Sequence, residues 1–169
     1  MKPFTESART LTAATLTVCA ASSALVYTVA TASCRRLLRR HAMVTLVRAA
    51  SLSGLVGAAI EVAGALWLPG HVWPLLVGHW FFAFAHGIHN PCGQAGAVSD
   101  FPHMAGRAVA WSGFVMMMAA FGLGRLIAAV VGDDPARYGP WPMVLPLALA
   151  AVVLVFVTFV LLPRPPAKR

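Results

Sequence analysis

Charged residues are scarce in this chain: only 11% of its 169 residues are Asp, Glu, Lys or Arg, whereas 59% are hydrophobic. That balance lies far outside the make-up of a soluble domain, so it excludes water as the main solvent. The three cysteines form no Cys-x-x-Cys pair and favour neither a disulfide framework nor a zinc site. We interpret them as small packing residues and predict an all-α integral membrane protein.

Short motifs of enzymes and of nucleotide-binding proteins are also missing. We find no Ser-His-Asp or Cys-His arrangement, phosphate loop or dinucleotide fingerprint, and the polar segments are too short to house one. The formal net charge of +8 sits in short clusters between apolar stretches, so we expect it to meet membrane lipid rather than nucleic acid. We therefore expect no enzyme, no cofactor and no nucleic-acid partner.

Five apolar stretches are long enough to cross a bilayer, because about 20 residues at 1.5 Å each span a hydrocarbon core of about 30 Å. They run over about residues 10–33, 43–68, 72–98, 104–131 and 141–162. The first is the least hydrophobic, since it contains many Ser and Thr, and a basic tail over 163–169 follows the last. The sequence thus predicts a single transmembrane domain of about five helices.

The distribution of cations indicates how these helices are oriented, because Lys and Arg in short loops stay cytoplasmic. Alternate boundaries carry eight cations: Arg35, Arg36, Arg39, Arg40, Arg107, Arg164, Lys168 and Arg169. The opposite boundaries carry cations and anions in balance: Lys2, Arg9, Arg137, Glu6, Asp133 and Asp134. We therefore expect a multi-pass protein with its N-terminus outside and its C-terminus in the cytoplasm.

Residues 90–108 read Asn-Pro-Cys-Gly-Gln-Ala-Gly-Ala-Val-Ser-Asp-Phe-Pro-His-Met-Ala-Gly-Arg-Ala. They resemble the junction of helices ten and eleven in bacterial drug-efflux transporters of the Bcr/CflA type, which belong to the major facilitator superfamily. That junction has a Pro in helix ten, small residues, a Phe-Pro turn and then Ala-Gly. The basic run over 35–40 is similar to the family's loop between helices eight and nine. Arg107 departs from the family, in which a small hydroxyl residue is commoner there.

The resemblance implies that the chain corresponds to family helices eight to twelve, a partial C-terminal half, in a bacterial cytoplasmic (inner) membrane. Such transporters rock two six-helix halves about a site at the bilayer midplane. The resemblance therefore implies efflux of a small amphipathic or drug-like substrate by proton antiport, once an N-terminal transporter half completes the assembly. A stand-alone small membrane protein that binds or stabilises a membrane partner is the alternative. The faces left exposed also allow a homo-oligomer.

Three histidines form the first candidate site, because at 100° per residue His79, His86 and His89 fall within about 80° on one helix. Histidine titrates near neutral pH, so this stripe predicts either substrate contact and proton coupling or a set of interhelical hydrogen bonds. Asn90 and Pro91 follow directly, and the proline predicts a kink whose freed carbonyl contacts either substrate or a neighbouring helix. A metal site is not expected, since two histidines at this spacing supply too few ligands.

Glu61 and Arg125 are charges deep in apolar helices, and each is costly in lipid unless it faces the bundle interior or a partner. Both lie toward the outer ends of their helices. We therefore predict a mutual ion pair, with a proton-relay role as the alternative.

Two further groups of residues are interpreted as packing features. Small residues at four-residue spacing predict close helix approach by the second helix: Ser53, Gly54, Gly57 and Ala58. Large adaptable side chains on the fourth helix either face lipid and fill gaps or line a plastic drug-binding surface: Phe114, Met116, Met117, Met118 and Phe121.

Overall fold

The computed structural model describes residues 3–68, 71–99, 101–132 and 135–162, with side chains from Thr17 onward except at 19, 135 and 136. The helices are α1 (Pro3–Leu37), α2 (Met43–Trp67), α3 (Val72–Ser99), α4 (Ala105–Val131) and α5 (Trp141–Phe156), which a π-helical turn continues over Val157–Leu161. Short 3-10 helices, Pro102–Met104 and Pro135–Tyr138, flank α4. No strand occurs in the described ranges, so the all-α prediction is confirmed. The predicted basic tail over 163–169 lies outside them.

Within the described residues, three helical regions are long and apolar enough to cross a membrane: Met43–Trp67, Pro102–Val131 and Trp141–Leu161, with mean hydropathies of 1.7, 2.1 and 2.9. Neither α1 nor α3 is among them, although both were expected to span. The physical reason is polarity: α1 is rich in Ser and Thr, whereas α3 contains three histidines, Asn90 and Gln94. These two helices would need neighbours inside a membrane, because their polar groups must bond to other helices rather than to lipid.

Four of the helices pack in a row in the order α1, α3, α2 and α5, and the closest contact joins α2 to α3. Gly57 sets that distance, because a Cβ there would lie 2.5 Å from the Gly78 carbonyl oxygen and 2.9 Å from Phe81 Cβ. A Cβ on Gly64 would likewise overlap the ring of Pro74. The close approach predicted for the second helix is therefore confirmed.

α4 is the exception to this packing. It contacts mainly the C-terminal end of α3, and none of its residues is buried. Its methionines and phenylalanines are all exposed, as are Ala120, Gly124 and Ala128. The fold is thus a packed group of four helices with a fifth helix left bare.

Candidate functional site between α2, α3 and α5

A chain of buried polar groups links three helices near the start of α2. The hydroxyl of Thr158 donates to Ser51 Oγ at 3.2 Å, and Ser51 Oγ lies 2.9 Å from His89 Nε2. On the far side of the ring, His89 Nδ1 donates to the Ala85 carbonyl at 2.8 Å. Ser51 and Thr158 are both buried, so these bonds form away from solvent.

The geometry of this chain accommodates two protonation states of His89. Because the Ala85 carbonyl only accepts, Nδ1 carries the proton, and neutral His89 takes a hydrogen bond from Ser51 at Nε2. If Nε2 gains a proton it becomes a donor to Ser51 Oγ, whose own hydrogen then turns to the Val47 carbonyl, 3.0 Å away. One hydroxyl rotation therefore converts the network between the two forms without leaving any of these atoms unpaired.

Arg48 anchors the same region to the end of α5. Its Nε donates to the Thr158 carbonyl at 3.0 Å and its Nη2 to the Leu162 carbonyl at 3.1 Å. The guanidinium also lies 5.2 Å from the centroid of the Phe159 ring. Carbonyls at a helix end have no partners within the helix, so this arginine caps them and fixes Thr158 beside Ser51.

The three predicted histidines contact different neighbours rather than one common surface. His86 is exposed, with its ring centroid 5.5 Å from that of Tyr27 on α1. His79 lines a cavity of about 220 Å³ between α1, α3 and α5, whose other lining residues are Ala20, Ser23, Val72, Leu75, Leu76 and Met143. The buried His79 Nδ1 has no hydrogen-bond partner. His79 is therefore the histidine with an unused polar atom, and His89 the one within a network.

Asn90 and Pro91 both take part in the contact between α3 and α1. Asn90 Nδ2 donates to the Tyr27 hydroxyl at 2.8 Å. Pro91 cannot donate to the carbonyl of Gly87 four residues earlier, and the hydroxyl of Thr31 on α1 donates to that oxygen instead at 3.1 Å. α3 continues as one helix through Pro91, so the proline does not end the helix. The freed carbonyl bonds to a neighbouring helix, which is the packing alternative.

The predicted ion pair between Glu61 and Arg125 does not form within the described chain. Glu61 is 1% exposed, packs against Gly78, and its Oε1 has no hydrogen-bond partner. Arg125 is exposed on α4. The two charges stay apart because α4 leans on the end of α3 and makes no extensive contact with α2.

Several residues of the site carried no signal in the sequence analysis, among them Ser51, Thr158, Tyr27, Thr31 and Gln94. Ser51 precedes Gly54 and Ala58 at three- and four-residue spacing, so it shares the face that packs on α3. That spacing could have identified Ser51. Gln94 Oε1 is buried without a partner, one turn beyond Asn90. The position of Gln94 on α3 follows no spacing pattern that would have identified it from the sequence.

No protein family, curated protein or solved structure matches the chain. The resemblance to drug-efflux transporters therefore stays a prediction.

Proposed function

We propose that the chain is the five-helix C-terminal part of a proton-coupled transporter of the major facilitator type, completed by further helices that cover α4. Its substrate is a small amphipathic or drug-like molecule, and its five helices cross a bacterial inner membrane with the N-terminus outside. Arg35, Arg36, Arg39 and Arg40 are all exposed where α1 ends, which supports a cytoplasmic position for that end.

The observation that carries the proposal is the bare surface of α4. A helix without a buried residue beside four packed helices has either lipid or other helices as its surroundings. Ala120, Gly124 and Ala128 lie at four-residue spacing and leave room for close approach by another helix. Such a row of small residues favours a helix partner over lipid, because it allows two helix backbones to approach closely and has no comparable effect on contacts with lipid chains.

Arg125 adds a charge argument about the identity of that partner. It lies six residues before the end of α4, about 9 Å along the helix, on an exposed surface. Glu61 is the one acidic residue whose side chain is described, and it is buried. An exposed arginine in an apolar helix is costly in lipid unless it meets a partner, so the charge favours a covering helix that offers an acidic residue.

The polar groups inside the packed helices support the transport part of the proposal. The Thr158–Ser51–His89 chain is suited to holding and releasing a proton, and the His79 cavity combines an apolar lining with one unused hydrogen-bonding atom. At about 220 Å³ this cavity is smaller than drug-sized sites of roughly 300–1,000 Å³.

Dye efflux and drug susceptibility in a pump-deficient host test the proposal, with the chain expressed alone and together with the coding region upstream of it. We expect efflux only from the combination, and we expect His89→Gln to lower it more than His86→Gln does. Efflux from neither arrangement would overturn the transporter proposal. It would favour the second candidate, a membrane protein that binds or stabilises a partner, because a partner docked on α4 requires no transport activity.

A further inference from the structure

The structure brings together two cysteines that are far apart in the sequence. Cys34 on α1 and Cys92 on α3 are 58 residues apart, yet their Sγ atoms lie 3.7 Å from each other. Both are free thiols, and they are 0% and 2% exposed. Both cysteines are buried packing residues, as the sequence predicts, and the structure adds a contact between them that their separation along the chain does not indicate.

The two thiols contact each other inside apolar surroundings. They belong to one buried apolar cluster, whose remaining members are Leu46, Ala50, Ala85 and Ile88. Just beyond them, a Cβ on Gly87 would lie 2.7 Å from both Ala30 Cβ and the Tyr27 carbonyl oxygen. The two helices therefore cross closely at this level, and the crossing holds the sulfurs in contact.

We propose that Cys34 and Cys92 form a redox-sensitive pair, which a peroxide oxidises to a disulfide that joins α1 to α3. The bond requires the sulfurs to close by roughly 1.7 Å, from their contact distance to the disulfide length of about 2.05 Å. Small side-chain rotations and helix shifts supply that distance, because the two thiols already face each other. The pair acts on this chain itself, whatever the chain transports.

The reaction balances with hydrogen peroxide as the oxidant. One sulfur, as thiolate, attacks the peroxide and the O–O bond breaks; the released hydroxide takes up the proton of that thiol, so the products are a sulfenic acid and one water. The second sulfur, as thiolate, then attacks the sulfenic sulfur and displaces hydroxide, which combines with the proton of that second thiol to form another water. Two electrons pass from the two sulfurs to the peroxide, and two thiols plus one peroxide yield one disulfide plus two waters.

The position of the pair in the helices suits a reversible sensor rather than a permanent cross-link. Cys34 lies three residues before the end of α1, about 4.5 Å along the helix, and four exposed arginines follow it. The proposed orientation places this end near the cytoplasm, where thiols are kept reduced and disulfides are transient. Oxidation would fix α1 against α3 beside Pro91, and reducing conditions would release it.

Thiol counting on the purified full-length chain tests the pair in a Cys19→Ser background, which removes the third cysteine. After peroxide treatment, followed by unfolding in denaturant to expose the buried thiols, we expect labelling by a maleimide reagent to fall from two sites to none. The intact mass should fall by two hydrogen atoms, and a dithiol reductant should restore both labels. The oxidised chain should also unfold at a higher temperature than the reduced chain.

The matched control moves one thiol by a single residue. In Cys19→Ser/Cys92→Ser/Gly93→Cys, the new sulfur points about 100° away on α3, where a Cβ meets nothing within 4 Å. This variant should form no disulfide within the chain under the same treatment, so its intact mass should not fall by two hydrogen atoms. Unchanged labelling of the native pair, disulfides formed only between chains, or the same loss of two hydrogen atoms in both variants would overturn the proposal.

Discussion

The α2–α3 pair and α4 contain the same kinds of residue in opposite surroundings. An added Cβ would overlap neighbouring atoms at Gly57, Gly64 and Gly78, whereas it would meet nothing within 4 Å at Gly113 or Gly122 on α4. α4 also belongs to a segment of higher mean hydropathy than α2, 2.1 against 1.7, although no residue of α4 is buried. Hydropathy therefore indicates which helices tolerate lipid, and small residues with polar contacts indicate which helices pack.

The largest expected effect tests the glycines on the two surfaces. Gly57→Ala should destabilise the chain by about 1–3 kcal/mol, because the new methyl group overlaps the Gly78 carbonyl and Phe81. Gly122→Ala should stabilise it by up to about 1 kcal/mol, since alanine favours the helix and nothing opposes the methyl group. Thermal unfolding in detergent, followed by circular dichroism, measures both. Equal effects of the two substitutions would abolish the distinction between packed and bare helices.

The polar chain through Ser51 comes next in expected magnitude. Ser51→Ala removes the partner of His89 Nε2 and the acceptor of the Thr158 hydroxyl, which should cost about 1–3 kcal/mol. The matched substitution on α4, Ser112→Ala, should change stability by less than about 0.5 kcal/mol, because Ser112 is not fully buried and lies on a helix without a buried residue. The same unfolding measurement compares them. A neutral Ser51→Ala would indicate that the network contributes nothing to the packing of the three helices.

A smaller effect is expected where Thr31 bonds to the carbonyl freed by Pro91. Thr31→Val keeps the shape and removes the hydroxyl, so it should cost about 1 kcal/mol. In a Pro91→Ala background the backbone supplies a donor to the Gly87 carbonyl, and the same substitution should then cost clearly less. A double-mutant cycle measures this coupling. Additive effects would show that Thr31 does not compensate for the proline.

The smallest effect on the isolated chain is expected at Arg125. Arg125→Gln should change its stability by less than about 0.5 kcal/mol, because the side chain is exposed and pairs with no described residue. Combining Glu61→Arg with Arg125→Glu should not rescue the single reversals, since Glu61 is buried against α3. Unfolding of Arg125→Gln, and insertion and unfolding of the two single reversals and the double reversal, provide the measurement. Rescue by the double reversal would restore the ion pair that the sequence predicted.

The class of fold and the helix that packs closely were predictable from local patterns. Apolar stretches require only counting, and the spacing of Gly54, Gly57 and Ala58 on one helix face requires only the helical period. The positions of Glu61 and Arg125 along their helices could be estimated in the same way. The distance between the two side chains could not, because it depends on how α4 packs relative to α2.

Contacts between residues far apart in the sequence could not be predicted, for a related reason. Ser51 meets Thr158 across 107 residues and Cys34 meets Cys92 across 58, and no local period relates such positions. The histidine stripe was placed correctly on one helix, yet each histidine has a different neighbouring helix or cavity beside it. A helix face can be read from the sequence, whereas the element that covers each part of it depends on the whole fold.

The central claim is that helices of a partner cover the bare surface of α4. It is tested most directly by a photo-reactive amino acid at Phe121 on α4, compared with one at Val152 on α5; these residues are 65% and 54% exposed. The chain is expressed with the epitope-tagged product of the upstream coding region. We predict cross-linking to that tagged polypeptide from Phe121 and markedly less from Val152. Cross-links to lipid alone from both positions, or equal cross-linking from the two, would contradict the claim.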